Sequence, residues 1–175
     1  NINVTNLIHW EKTLFGGTLP SYWLQQHLMH RPLTPLLDAI TNTLYLSHFM
    51  TPLIAAAALW RRRSADYWAF AIGLVALSYA GFATFILFPA APPWWATSHG
   101  FLADQPVTLA PFVASEALVS AGPNPVAAFP SLHTGYPTYI ALVAIAVWGR
   151  RGLPVLLLPL CVAFSTVYLG HHYVV

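Results

Sequence analysis

Residues 134–148 (TGYPTYIALVAIAVW), 149–152 (GRRG) and 153–169 (LPVLLLPLCVAFSTVYL) decide the fold. Two apolar stretches flank a short turn that carries Arg150 and Arg151. A helix needs about 20 apolar residues to cross the hydrocarbon of a bilayer, and so short a connection makes its two helices antiparallel neighbours. Upstream, residues 68–88 form the clearest apolar span and residues 44–60 a further one. Trp60 and Trp148 suit the membrane interfaces, where indole rings settle. The whole chain is 57% hydrophobic and only 7% charged, whereas a soluble domain carries about a quarter charged residues. These features describe an all-α, multi-pass membrane helical bundle with four spans. The net charge of +2 argues nothing about nucleic acid; no nucleic-acid partner is expected, and the bilayer itself is the expected one.

Arginine placement orients the bundle. Arg61, Arg62 and Arg63 follow the first span and Arg150 and Arg151 join the third to the fourth, so five of the seven basic residues occupy two short loops. Both loops are expected on the cytoplasmic side. Residues 89–132 contain no Lys or Arg and belong outside, together with the end of the fourth span. His133 and the pair His171–His172 then fall on one outer face.

Their depths agree as well. From the arginine turn, about 16 residues lead back to His133 and about 20 lead forward to His172, or roughly 24 and 30 Å of helical rise. At the start of the third span, Pro130-Ser131-Leu132-His133 offers Ser131 as an N-cap, and the exposed amides after it, with the positive end of the helix dipole, favour a phosphate. His133 is placed to protonate a leaving oxygen. The same four residues also suit a capping serine beside an interfacial histidine. Adjacent side chains diverge by about 100° on a helix, so only one of His171 and His172 is expected to face the site, where a neutral imidazole can attack phosphorus and form a phosphohistidine.

Residues 1–43 are less hydrophobic and punctuated by Pro20, Pro32 and Pro35, which marks them as an extracytoplasmic, interfacial segment ahead of a membrane core over 44–175. The proline-rich runs 88–95 and 122–130 read as rigid outer loops. Cys161 lies in an apolar run and reads as a small buried hydrophobe. His48, inside the first span, is either a cavity residue or a neutral histidine bonded to a neighbouring helix. Three histidines with water could hold zinc, but no metalloprotease-type spacing is present, and neither a metal site nor another cofactor is expected.

Pro-Ser-Leu-His at 130–133, then a helix, a basic turn, a second helix and Ser-Thr-Val-Tyr-Leu-Gly-His-His-Tyr at 165–173, together resemble the second and third signature segments of the type-2 phosphatidic acid phosphatase superfamily. Pro89-Ala90-Ala91-Pro92-Pro93-Trp94 narrows the resemblance to the branch containing inositol phosphorylceramide synthase. The resemblance implies that the four spans belong to a six-helix core and that His172 is the nucleophile. It makes His133 the general acid and places amides at Ser131 and Leu132 on the phosphate. It implies histidine catalysis without a divalent metal. The substrate it implies is a lipid phosphate or phospholipid, with water or an alcohol as acceptor, in what composition suggests is a bacterial cell membrane. The superfamily's orienting aspartate would follow Val175, so an inactive fragment is one expectation. The first signature is not reproduced, since Leu24 stands where its lysine belongs; Arg31, before Pro32, is carried only as a weak phosphate contact. A catalytically inactive scaffold or lipid-binding protein of the same fold is the alternative reading.

Overall fold

The computed structural model describes residues 2–62, 64–109 and 125–175. Arg63 of the arginine triplet and residues 122–124 of the second proline-rich run lie outside them. Among the described residues seven α-helices follow in order: α1 (Thr5–Leu14), α2 (Pro20–Leu28), α3 (Thr34–Arg62), α4 (Ser64–Leu87), α5 (Pro93–Ser98), α6 (Leu132–Trp148) and α7 (Leu157–Tyr168), with a 3₁₀ segment, Gly149–Leu156, between the last two.

Among the described residues three helical runs are long and apolar enough to cross a membrane: Thr34–Arg61, Ala65–Leu87 and Leu132–Tyr168. The third, 37 residues long, is a hairpin, because Gly152 lies against the backbone of Ala144 and a β-carbon there would strike the Ala144 carbonyl. Four passes result, and the protein is a multi-pass membrane helical bundle. α4 turns Ile72, Tyr79, Ile86 and Leu87 outward, an apolar surface that water would penalise and lipid accepts.

The first span starts ten residues earlier than hydropathy alone suggests, at Thr34. Polar residues blur the signal there, yet three of them bond their own helix: Thr41 Oγ1 donates to the Leu37 carbonyl (2.9 Å), Asn42 Nδ2 to the Asp38 carbonyl (2.8 Å) and Thr43 Oγ1 to the Ala39 carbonyl (2.7 Å). Such back-bonding satisfies the side chains without a partner helix. Residue 43 therefore lies inside α3.

Packing is layered. Leu59, Phe70 and Ile140 close the bundle near the arginine turns, and Tyr45, Tyr168 and Leu169 join α3 to the end of α7. Above them Val4, Leu7, Ile8 and Leu19 pack with Ala90, Ala91, Leu102, Ala128 and Tyr173. The amino-terminal segment is thus a cap on the end of the bundle opposite the arginine turns. It is tied down by the Asn3 amide on the Pro89 carbonyl (2.7 Å), the Ala91 amide on Asn3 (3.0 Å) and the Ala128 amide on Ala90 (2.9 Å).

Candidate active site

α6 begins at Leu132 with Ser131 as N-cap, whose Oγ accepts from the Thr134 amide at 3.4 Å. α7 ends at Tyr168, and Gly170 follows with φ of 80°. That left-handed turn is one that a β-carbon disfavours. It directs both following amides at one acceptor: His171 and His172 donate to the Thr166 carbonyl at 2.9 and 3.2 Å. The chain is thereby bent back across the start of α6.

His133 and His172 meet there, Nδ1 to Nε2, at 2.8 Å. On its other side His172 Nδ1 donates to the Ala128 carbonyl at 2.9 Å. An imidazole bonded through Nδ1–H keeps its Nε2 lone pair, so neutral His172 presents an acceptor and His133 donates to it. The Ala128 peptide is itself fixed through its N–H to Ala90. The proline-rich run thereby acquires a physical role, because residues 89–91 hold the peptide that sets the tautomer of His172.

His172 is fully enclosed, and burial pushes its imidazole down to about 4, partly opposed by the Ala128 hydrogen bond and reinforced by His48. Burial, with His172 nearby, pushes His171 down to about 3. Both rings are neutral bases at physiological pH.

His171 does not turn away, contrary to the expectation that only one of the pair faces the site. Its ring stacks on Tyr45 of α3 at 4.5 Å, and Tyr45 also stacks on His133 at 4.5 Å. His48, one turn along α3, lies edge-on to His133 at 4.2 Å. Its Nδ1 donates to the Tyr45 carbonyl at 2.5 Å, so its bond is to its own helix rather than to a neighbour. On this α3 wall Tyr45 is the residue that sequence reasoning does not reach, whereas His48 is open there as a cavity residue; Asp38, Thr41, Asn42, Tyr45 and His48 recur at the spacing of one helical face.

Ser131 spends its hydroxyl on capping, and its neighbour Leu132 sends its side chain against Gly81 of α4. What these two residues offer a ligand is backbone. A helix start leaves its first four amides without intrahelical acceptors; Thr134 and Gly135 are bonded to Ser131, and those of Leu132 and His133 have no hydrogen-bond partner among the described residues. Arg31 is exposed at the α2–α3 turn, with Nε on the His27 carbonyl at 3.4 Å, and no hydrogen bond joins it to the imidazoles among the described residues. Cys161 is exposed on α7 rather than buried, because its face of the helix has no protein against it. Trp94, expected at the interface, donates its amide to the Gly170 carbonyl at 3.3 Å.

A cavity of about 710 Å³ opens beside Ser131, Thr134 and Thr166 and continues along Leu142 and Phe164 between α6 and α7.

Residues 5–175 match the family described as the PAP2 superfamily. A curated relative, phosphoinositol dihydroceramide synthase from Bacteroides thetaiotaomicron, is 26% identical over 196 aligned positions that include 99% of this chain. The chain spans 62% of that relative's length. No solved structure gives a significant match.

Proposed function

The chain belongs to the PAP2 superfamily, and from that premise we propose that it is the catalytic part of a membrane lipid-phosphate phosphatase or phosphotransferase working through a phosphohistidine on His172. The observation that carries this reading is the line Ala128 carbonyl, His172 Nδ1, His172 Nε2, His133 Nδ1, with contacts of 2.9 and 2.8 Å. A base of fixed tautomer facing a proton donor across one short contact supports a displacement at phosphorus between the two.

His172 Nε2 attacks phosphorus as the bond from phosphorus to the leaving oxygen breaks. His133, carrying a proton on both nitrogens for this step, passes the Nδ1 proton to that oxygen. The amides of Leu132 and His133 hold the equatorial oxygens. Water or an alcohol then attacks the phosphohistidine, its proton returns to His133 Nδ1, and the nitrogen–phosphorus bond breaks. Near-attack and hydrogen-bonding distances are each about 3 Å, and the phosphorus–oxygen bond lies between them, so the two imidazoles, 2.8 Å apart here, must separate when phosphate enters.

The relative's name supports the transferase branch, with a phosphoinositol donor and a lipid alcohol as acceptor. The arginine turns support an outward-facing site, and the bacterial relative supports a bacterial membrane.

Full-length protein in sealed, right-side-out vesicles tests the reading. Externally supplied labelled lipid phosphate is consumed there, and His133→Ala slows turnover by about 10²-fold or more, most for poor leaving groups. Consumption only after detergent is added contradicts the outer face. Equal slowing for all leaving groups removes the general-acid role.

A further inference from the structure

The loop that carries His172 has no regular structure between Tyr168 and Val174, and fixing each such residue costs about 1–2 kcal/mol of backbone entropy. Two buried polar side chains of the cap meet it. Gln25 of α2 is only 5% exposed; its Nε2 donates to the Tyr168 carbonyl and to the Thr108 carbonyl, each at 2.8 Å, while its Oε1 accepts from the Thr108 amide at 3.0 Å. Glu11 of α1 is wholly buried, and its Oε1 accepts from the Val174 amide. One side chain grips the loop just before His171–His172, the other just after.

The cost of this arrangement is informative. An enclosed carboxylate is expensive, and burial pushes Glu11 up to about 7; a leucine would fill the same space in a cap that is otherwise apolar. Neither side chain touches the imidazoles through a hydrogen bond. Both bond the backbone that aims them.

We propose that Glu11 and Gln25 are positioning residues for the nucleophile, clasping the 168–174 loop from its two ends so that His172 stays between the Ala128 carbonyl and the phosphate. The amino-terminal cap is then part of the catalytic apparatus, although it holds no reacting atom. This inference rests on the assignment of His172 as nucleophile.

The test uses the full-length protein in detergent with a labelled lipid phosphate, quenched at short times to follow formation of acid-labile phosphoprotein. Gln25→Leu and Glu11→Leu lower that rate about tenfold or more with KM little changed, since small misplacements of a reacting group are costly. Glu11→Gln recovers most of the rate because its amide oxygen accepts the same N–H. Gln25→Glu does not, having lost the donor that reaches two carbonyls. Where a leucine variant does not fold, Gln25→Asn and Glu11→Asp, which keep the chemistry and lose the reach, take its place. Folded variants with a rate within twofold of wild type, or a loss confined to KM, overturn the clasp. Wild-type protein that forms no phosphoprotein overturns the nucleophile assignment beneath it.

Discussion

As the proposed nucleophile, His172 can react only while its Nε2 is unprotonated. Its surroundings, burial first, lower its affinity for protons to about 4. A lowered value keeps the neutral form to lower pH, so the acid limb contributed by this residue lies near pH 4 rather than near the ordinary 6.5. Single-turnover phosphoryl transfer to His172 should therefore hold up from about pH 7 to about pH 5; a tenfold fall with a midpoint near 6.5 would contradict the burial argument. The convergence of His133 with the His171–His172 pair is legible in the sequence because depth along two antiparallel helices is simple counting from the arginine turn, while the choice of His172 rests on the family resemblance. His48 is legible as an ionisable residue inside a span; Tyr45 is not, because its part depends on which face of α3 meets α6, and that is settled by packing between segments distant in sequence. His171 departs from expectation for a related reason: after Gly170 the chain is no longer helical, so the divergence of neighbouring helical side chains does not govern the pair.

The hairpin of α6 and α7 and the turn at Gly170 do most of the geometric work at the level of elements. Gly170 combines φ of 80° with close neighbours, since a β-carbon would lie 2.9 Å from both the Thr108 carbonyl oxygen and Val107 Cγ1. Gly170→Ala should shift the two amides away from Thr166 and lower turnover by about tenfold or more, with the helical content by circular dichroism unchanged. Wild-type turnover in that variant would show that the turn tolerates another geometry. The four passes follow from apolar length, but the start of α3 does not. Asp38, Thr41 and Asn42 lower the local hydropathy while Thr41 and Asn42 bond within the helix, and Asp38 accepts from the Tyr168 hydroxyl at 2.7 Å. The polar stretch with an interfacial composition is the face α3 turns toward α7.

Considered whole, the protein is a membrane bundle with a small cap at one end and its arginine turns at the other, and the imidazoles lie where cap and bundle join. The bundle is legible in the sequence because bilayer crossing is a strong constraint on length and composition. The role of the cap is not, since the side chains of α1 and α2 that hydrogen-bond the 168–174 loop are Glu11 and Gln25, and single polar residues in short amphipathic helices announce no partner. The missing first signature and the uncommitted Arg31 have a counterpart here: backbone amides at the start of α6 are available for charge that the superfamily's lysine and arginine would otherwise meet. The central claim is covalent, and trapping is its most direct measurement. Full-length protein is incubated with a lipid phosphate labelled on phosphorus, denatured in alkali, and the label is mapped by mass spectrometry. The account requires an acid-labile, alkali-stable phosphoryl group on His172 that is absent in His172→Ala; label that persists undiminished in that variant, or resides on another residue, contradicts it.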